Sequence, residues 1–296
     1  MQPSAKAAIG YSQLKNSREP NSSTSQGTRD LETDVRDALD LDRYPLDQPG
    51  TAAYEALVTR CRSDLEREGM FNLEGLVRPA AIDSAAAELA DLATSSSYTH
   101  ARTHNVYFLD RVEGVDREHP ALKKFQTINH TLCDDQLKHT VVHELYEWPP
   151  LVDFIARVLG LPRLYLMDDP LARVNVLEYR PGEALNWHFD RSRYTTTLLV
   201  RAAQEGGEFQ YCSELRADGQ PNYDEVGRVL AGQTNRIRVN PLTAGTLNVF
   251  AGKNSLHRVS TVEGKDSRLV AVYSYYDRPG VLFSDQERLG FYGRAL

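Results

Sequence analysis

Val174-Asn-Val-Leu-Glu-Tyr179-Arg-Pro-Gly182, followed closely by Trp187-His188-Phe189-Asp190-Arg191, is the stretch whose reading decides the fold. Apolar Val174, Val176 and Leu177 are interleaved with Asn175 and Glu178 before the Pro181-Gly182 break, the pattern of a strand that ends in a turn. Working outward, every segment after Leu164 keeps a two-residue period or forms a short apolar run, punctuated by Gly, Pro, Asn and Asp. Strands are predicted at 172–179, 195–201, 207–212, 236–239, 246–250, 257–262 and 268–276. Short antiparallel strands in this number build a sandwich or a barrel.

Upstream the period becomes helical. Tyr54, Leu57, Val58, Cys61 and Leu65 predict a helix over 51–68, with Gly69 as its stop. Asp83 is suited to cap an alanine-rich helix over 84–93. A third helix should follow Pro149-Pro150, since Leu151, Phe154, Ile155 and Val158 form one stripe and Gly160 stands just past it. Ser284-Asp-Gln-Glu287 has the form of a capping box, which predicts a last helix over 284–292. The organisation expected is a polar, disordered arm over 1–33, a helical part over 34–163 that covers one sheet face, a β-barrel core over 164–280, and the C-terminal helix.

Composition removes several functional classes. The 296 residues suit one catalytic domain with helical additions, and 41% hydrophobic with 25% charged residues is ordinary for a globular chain. A net charge of -7 repels phosphate backbones, and no basic cluster with interleaved aromatics offsets it, so nucleic acid is not an expected partner. Cys61, Cys133 and Cys212 are too far apart for a CxxC knuckle and read as buried small residues in a reducing compartment. No apolar run approaches the roughly 18 residues of a membrane helix, and the polar start, with Glu19, Asp30 and Glu32, suits neither a signal nor a transit peptide. A cytoplasmic protein without membrane attachment is the expectation; the oligomeric state has no signal.

Residues two apart on an extended chain face the same side, so His188 and Asp190 can reach one ion. With eight histidines present, an HxD triplet arises by chance in roughly one such sequence in two or three on ordinary composition. The pair therefore needs support. His257 supplies it, at the start of a later strand after Gly252-Lys-Asn-Ser255. Two imidazoles and one carboxylate leave half of an ion's coordination sphere open, the arrangement used for non-haem iron(II), whereas structural zinc wants a fourth ligand. Arg268, eleven residues past His257 and set among apolar residues, offers a rigid fork for a carboxylate, with Ser274 on the same face by alternation.

HxD, a distal His and an Arg further on resemble the pattern of the iron(II)/2-oxoglutarate-dependent dioxygenases, and the likeness spans about 173–279. It implies a mainly β fold with α, a double-stranded β-helix of the jelly-roll or cupin-like kind with the N-terminal helices packed on one sheet. It further implies Fe(II) on His188, Asp190 and His257, 2-oxoglutarate on Arg268, and O2 as co-substrate. Tyr179 matches a residue near the co-substrate in such enzymes. Arg173, Asn175 and Tyr179 share a face by alternation and would form a polar wall.

Within that superfamily, Trp187-His-Phe-Asp-Arg191, Thr195-Thr-Thr-Leu-Leu199, Gly206-Gly-Glu-Phe209 and Arg278-Pro-Gly280 are similar to the small bacterial halogenases of free amino acids and to their hydroxylating relatives. The halogenases carry Gly in place of the carboxylate ligand, so the retained Asp190 implies hydroxylation of a small molecule, with desaturation or oxidative cyclisation as the alternative. Candidate substrate contacts are Arg102, His104, Arg173, Glu178, Arg191 and Asn254, and 101–108 and 118–124 are candidate lids.

Two rival readings stand beside this one. His139 and His143 have the i, i+4 spacing of a zinc pair, but Glu144 fits neither HExxH nor its inverted form. A cupin-like binding protein without turnover would share the barrel. Arg268 and the intact triad count against it.

Overall fold

The computed structural model describes residues 34–109 and 111–296; the arm expected over 1–33 lies outside them. Thr51 caps the first helix, α1 (Ala52–Glu68), by accepting the Tyr54 N–H, and Gly69 closes it in the left-handed conformation at φ 76°. Helix α2 (Pro79–Ser96) starts earlier than the sequence suggests: Pro79 takes the first position, and Asp83 lies inside the helix rather than capping it. Proline needs no N–H there and presets φ, which gives the start without an acidic cap. α3 (Val141–Glu147) and α4 (Pro149–Leu159) follow, the latter burying Leu151, Phe154, Ile155 and Val158 and ending at Gly160. α5 (Tyr223–Leu230) and α6 (Asp285–Tyr292) complete the helices, and Ser284 and Glu287 form the expected capping box.

Eleven of the strands make two sheets. The large sheet contains β1 (Met70–Leu73), β2 (Tyr98–His104), β3 (Phe125–Leu132), β5 (Val174–Tyr179), β7 (Thr195–Arg201), β11 (Leu247–Phe250) and β14 (Arg268–Tyr273), in the order β1-β11-β7-β14-β5-β3-β2. The small sheet contains β6 (Leu185–His188), β9 (Phe209–Cys212), β10 (Arg238–Asn240) and β12 (Leu256–Val259), in the order β10-β9-β12-β6. Short pairs β4 (Tyr165–Leu166) with β15 (Tyr275–Tyr276), and β8 (Glu205–Gly206) with β13 (Val262–Glu263), extend the ends. All pairings are antiparallel, and the architecture is a double-stranded β-helix of two facing sheets rather than a closed barrel.

The outer face of the large sheet is covered by helices. Leu269, Ala271 and Tyr273 of β14 and Val174 and Val176 of β5 join Leu57, Leu89 and Phe154 in one core, the buried Val, Leu and Phe side chains each contributing about 1.5–3 kcal/mol. The inner face meets the small sheet through Met70 and Phe250 against Phe209 and Tyr211. The outer face of the small sheet is covered too, since Trp187, Phe189 and Leu256 pack against Val226 and Val229 of α5. The metal-binding candidates thus sit between two sheets that are both shielded from behind.

The part read as helical, 34–163, also supplies β1, β2 and β3. Strand β2 reads Tyr98-Thr-His-Ala-Arg-Thr-His104 and pairs only with β3 as the sheet edge, so most of its side chains stay in contact with water and no apolar alternation marks it. His139 has φ 68° and precedes α3, so it shares no helical face with His143. His143 is buried instead beside Asp134 (3.3 Å) and Lys138 (2.7 Å), which removes the zinc pair. No helix among the described residues is long and apolar enough to cross a membrane.

Candidate metal centre

The small sheet places the two histidines. β12 pairs with β6 so that His257 lies directly opposite His188, and their ring centroids are 4.2 Å apart. His188 Nδ1 hydrogen-bonds the Asn186 carbonyl at 2.8 Å and His257 Nδ1 the Ser255 carbonyl at 2.9 Å. Each carbonyl can only accept, so both Nδ1 atoms carry hydrogen, and each ring in its neutral form presents an Nε2 lone pair. Those two lone pairs face Asp190 Oδ1, at 3.3 Å from His188 and 3.4 Å from His257. Three acceptors converge with no donor between them, and only a cation, proton or metal, reconciles them.

The spacing suits a metal. An ion about 2.1 Å from each ligand holds adjacent ligand atoms roughly 3 Å apart. Burial pushes the His188 pKa down, with His257 adding to the effect, so neutral imidazole is the favoured form. Burial works against the Asp190 carboxylate, but positive charge carried on His257 and His188 outweighs it and holds the carboxyl well below its usual range, which shows how strongly this oxygen seeks a cation. Among the described residues this is the one group of three or more His, Cys, Asp or Glu side chains placed to share an ion.

Across the interior lies a second polar site of opposite character. In the β14–β5 ladder Arg268 stands opposite Tyr179; they are 3% and 0% exposed. The Arg268 Nη1 and the Tyr179 hydroxyl are both buried without a hydrogen-bond partner. Burial pushes the Arg268 pKa down to about 10, against a small opposing influence of Tyr179, so the group is still cationic at neutral pH. Asp190 is close enough for its charge to act on the Tyr179 hydroxyl, which burial pushes up. Val262 and Val270 pack around Tyr179, and a side chain at Gly207 would come within 3.3 Å of Arg268 Cδ. These orphaned donors fit the distal carboxylate of a keto diacid.

The remaining sequence candidates divide. Arg102 and His104 do come to the centre: Arg102 lies over the Phe108 ring (4.8 Å), His104 stacks on it (4.6 Å), and Phe108 stands edge-on to His188 (6.2 Å). Asn254, in the loop before His257, has a buried Oδ1 with no partner. The other five do not join them. Ser274 and Asn175 lie at the end of their strands away from Arg268 and Tyr179; the Ser274 carbonyl accepts from Tyr146, and Asn175 bonds the Leu171 carbonyl and the Tyr292 hydroxyl. Arg173 is engaged by Glu147 on α3, so the proposed polar wall reduces to Tyr179. Glu178 faces the opposite side of β5, held by Ser267 (2.6 Å) and Arg180 (3.0 Å). Arg191 turns outward to Glu287 of α6 at 2.7 Å.

Of the two candidate lids, 101–108 runs beside the centre, and its Val106 carbonyl accepts the Phe189 N–H. The other, 118–124, forms a short turn packed on α5 behind the small sheet, where Pro120 and Ala121 lie against Gly227. Thr195 and Gly252 touch Asp190 and carry no sequence signal of their own, since one simply opens a strand and the other sits in a loop.

The chain matches the family Halogenase D over residues 53–281. No curated protein sequence matches it. Among solved structures it is similar to SnoN, a non-heme alpha ketoglutarate dependent epimerase from nogalamycin biosynthesis, with 16% identity over 75% of this chain and 83% of that one at a TM-score of 0.51. It is also similar to the carbocyclase SnoK of the same biosynthesis, with 14% identity over 75% and 85% of the two chains at a TM-score of 0.51. HygX from Streptomyces hygroscopicus, solved with nickel and 2-oxoglutarate, gives 12% identity over 73% and 85% at a TM-score of 0.51. At these identities the likeness is one of fold.

Proposed function

The chain belongs to the Halogenase D family, and from that premise we propose that it is a non-haem iron(II), 2-oxoglutarate-dependent oxygenase that hydroxylates a small molecule, a free amino acid or an amino-acid-derived metabolite. One observation carries the reading: a carboxylate, Asp190, stands 3.3 and 3.4 Å from the two imidazole nitrogens, at the sequence position where the halogenases that this chain resembles carry Gly. His188, Asp190 and His257 would hold the iron, and Arg268 and Tyr179 the far carboxylate of 2-oxoglutarate. With O2, this pair supplies the oxidation of an unactivated C–H bond, with succinate and CO2 as by-products.

The protein's own contribution is placement. The carbonyls of Asn186 and Ser255 fix the imidazole tautomers. Arg268, rigid and still charged at neutral pH, orients the co-substrate from one end. The two sheets keep bulk water from this interior. Arg102, stacked on Phe108 with no ion pair among the described residues, is the cation available for a substrate carboxylate at the mouth.

Screening free amino acids with iron(II), 2-oxoglutarate, ascorbate and oxygen tests the proposal, with succinate and product mass as readouts. Succinate coupled to a product heavier by one oxygen is the expected result. A product lighter by two hydrogens would assign desaturation or cyclisation, and binding without oxygen-dependent succinate would replace the enzyme with a cupin-like binding protein.

A further inference from the structure

The environment of Asp190 is built around one orientation of its carboxylate. While Oδ1 faces the imidazoles, Oδ2 accepts a 2.6 Å hydrogen bond from the Thr195 hydroxyl. Thr195 Oγ1 lies 3.2 Å from Ser192 Oγ; because the Thr195 hydrogen is committed to the carboxylate, Ser192 is the donor of that second bond. On the other side stands Gly252. A Cβ there would overlap Oδ2 and lie 2.8 Å from Cγ and 3.0 Å from Cβ of Asp190. Gly252 has no positive φ, so it is the Asp190 side chain, whose atoms are the three nearest, that stands against a Cβ here rather than the backbone conformation.

The approach is also locked. The Asp190 N–H donates to the Gly252 carbonyl at 3.0 Å, and the Gly252 N–H to the Phe250 carbonyl at 2.9 Å. Thr195 pairs in register with Phe250, two residues before Gly252, so the β7–β11 ladder delivers hydroxyl and glycine to the same carboxylate. Neither loop can retreat without breaking backbone hydrogen bonds.

We propose that Thr195 and Gly252 are positioning residues that form the seat of Asp190. Thr195 reserves one oxygen and leaves the other to the metal, and Gly252 provides the volume in which the carboxylate fits. The identity of the third ligand is therefore encoded at three positions, 190, 195 and 252. The inference rests on Asp190 being a ligand.

The test is Co(II) titration of metal-free protein, followed by visible absorption, with thermal melting in the absence of metal. Thr195→Val, close to isosteric, should weaken Co(II) binding about 10- to 100-fold and change the spectrum. Thr195→Ser should restore both, which a purely structural role for the methyl group would not give. Gly252→Ala should lower the metal-free melting temperature in the parent protein and have no such effect in an Asp190→Gly background, where the slot is vacant. Parent-like cobalt affinity and spectrum in Thr195→Val, or an equal melting loss from Gly252→Ala in both backgrounds, would overturn the seat. His257→Ala separates the two levels: cobalt binding that ignores His257 sinks the centre itself, whereas binding that needs His257 and ignores Thr195 sinks only the seat.

Discussion

The two buried polar sites of this protein are incomplete in opposite senses. At the small sheet, His188, His257 and Asp190 bring three acceptors together without a donor; on the large sheet, Arg268 and Tyr179 offer donors without an acceptor. One site lacks positive charge and the other lacks negative charge. A native core seldom leaves such groups unanswered, because each unsatisfied one costs about 1–3 kcal/mol and more if charged. Two opposite deficits facing one interior call for a cation and an anion together, as a metal with a keto diacid provides.

The comparison breaks most visibly at the acceptors. His257→Ala should leave the fold intact by circular dichroism and abolish iron-dependent succinate formation; full turnover would take His257 out of the centre. Asp190→Gly should likewise lose hydroxylation, and with chloride present a trace of chlorinated product should be detectable by mass. Normal hydroxylation by that variant would contradict Asp190 as a ligand.

At the donors the expected effects have opposite signs for function and stability. Arg268→Met should raise the KM for 2-oxoglutarate by at least about 30-fold, since losing one partner of a buried charge pair costs about 2–5 kcal/mol. Without co-substrate the same variant should melt at an equal or higher temperature, because an unpaired buried cation has been removed. The folded-state pKa of Arg268 lies below its ordinary value, at about 10, so its destabilising effect is fully present below that pH and is relieved only above it. Melting near pH 7 therefore reads it in full. A lower melting temperature for Arg268→Met would mean that the donor site is already satisfied.

Ser274→Ala is the smallest case. Six residues of extended chain separate Ser274 from Arg268, roughly 20 Å, so its KM for 2-oxoglutarate should stay within about twofold.

The sequence exposed these two sites unequally. His188, Asp190, His257 and Arg268 are rare chemical types at informative spacings, and the alternation around them is regular. Strand alternation told which face Ser274 and Asn175 share with Arg268 and Tyr179, but not how far along the strand each stands, and distance separates both from that buried pair. Helices α1 and α4 were legible because their apolar stripes and terminal glycines agree. Strand β2 was hidden because an edge position makes no demand for buried residues. Thr195 and Gly252 were silent for another reason: their meaning lies in a contact with Asp190 that only the β7–β11 register creates.

Helix α6 links distant parts of this arrangement. Tyr292 donates to Asn175 on β5, Arg288 pairs with the fully buried Asp169, and Glu287 holds Arg191, the residue next to Asp190. Helix α6 thereby acts as a clasp that joins the Asn175 end of β5 to the loop beside Asp190. Shortening or tagging that helix would loosen the neighbourhood of Asp190 without touching His188, Asp190 or His257, and a fluorescent label on α6 would report movement of the loop that carries Arg191.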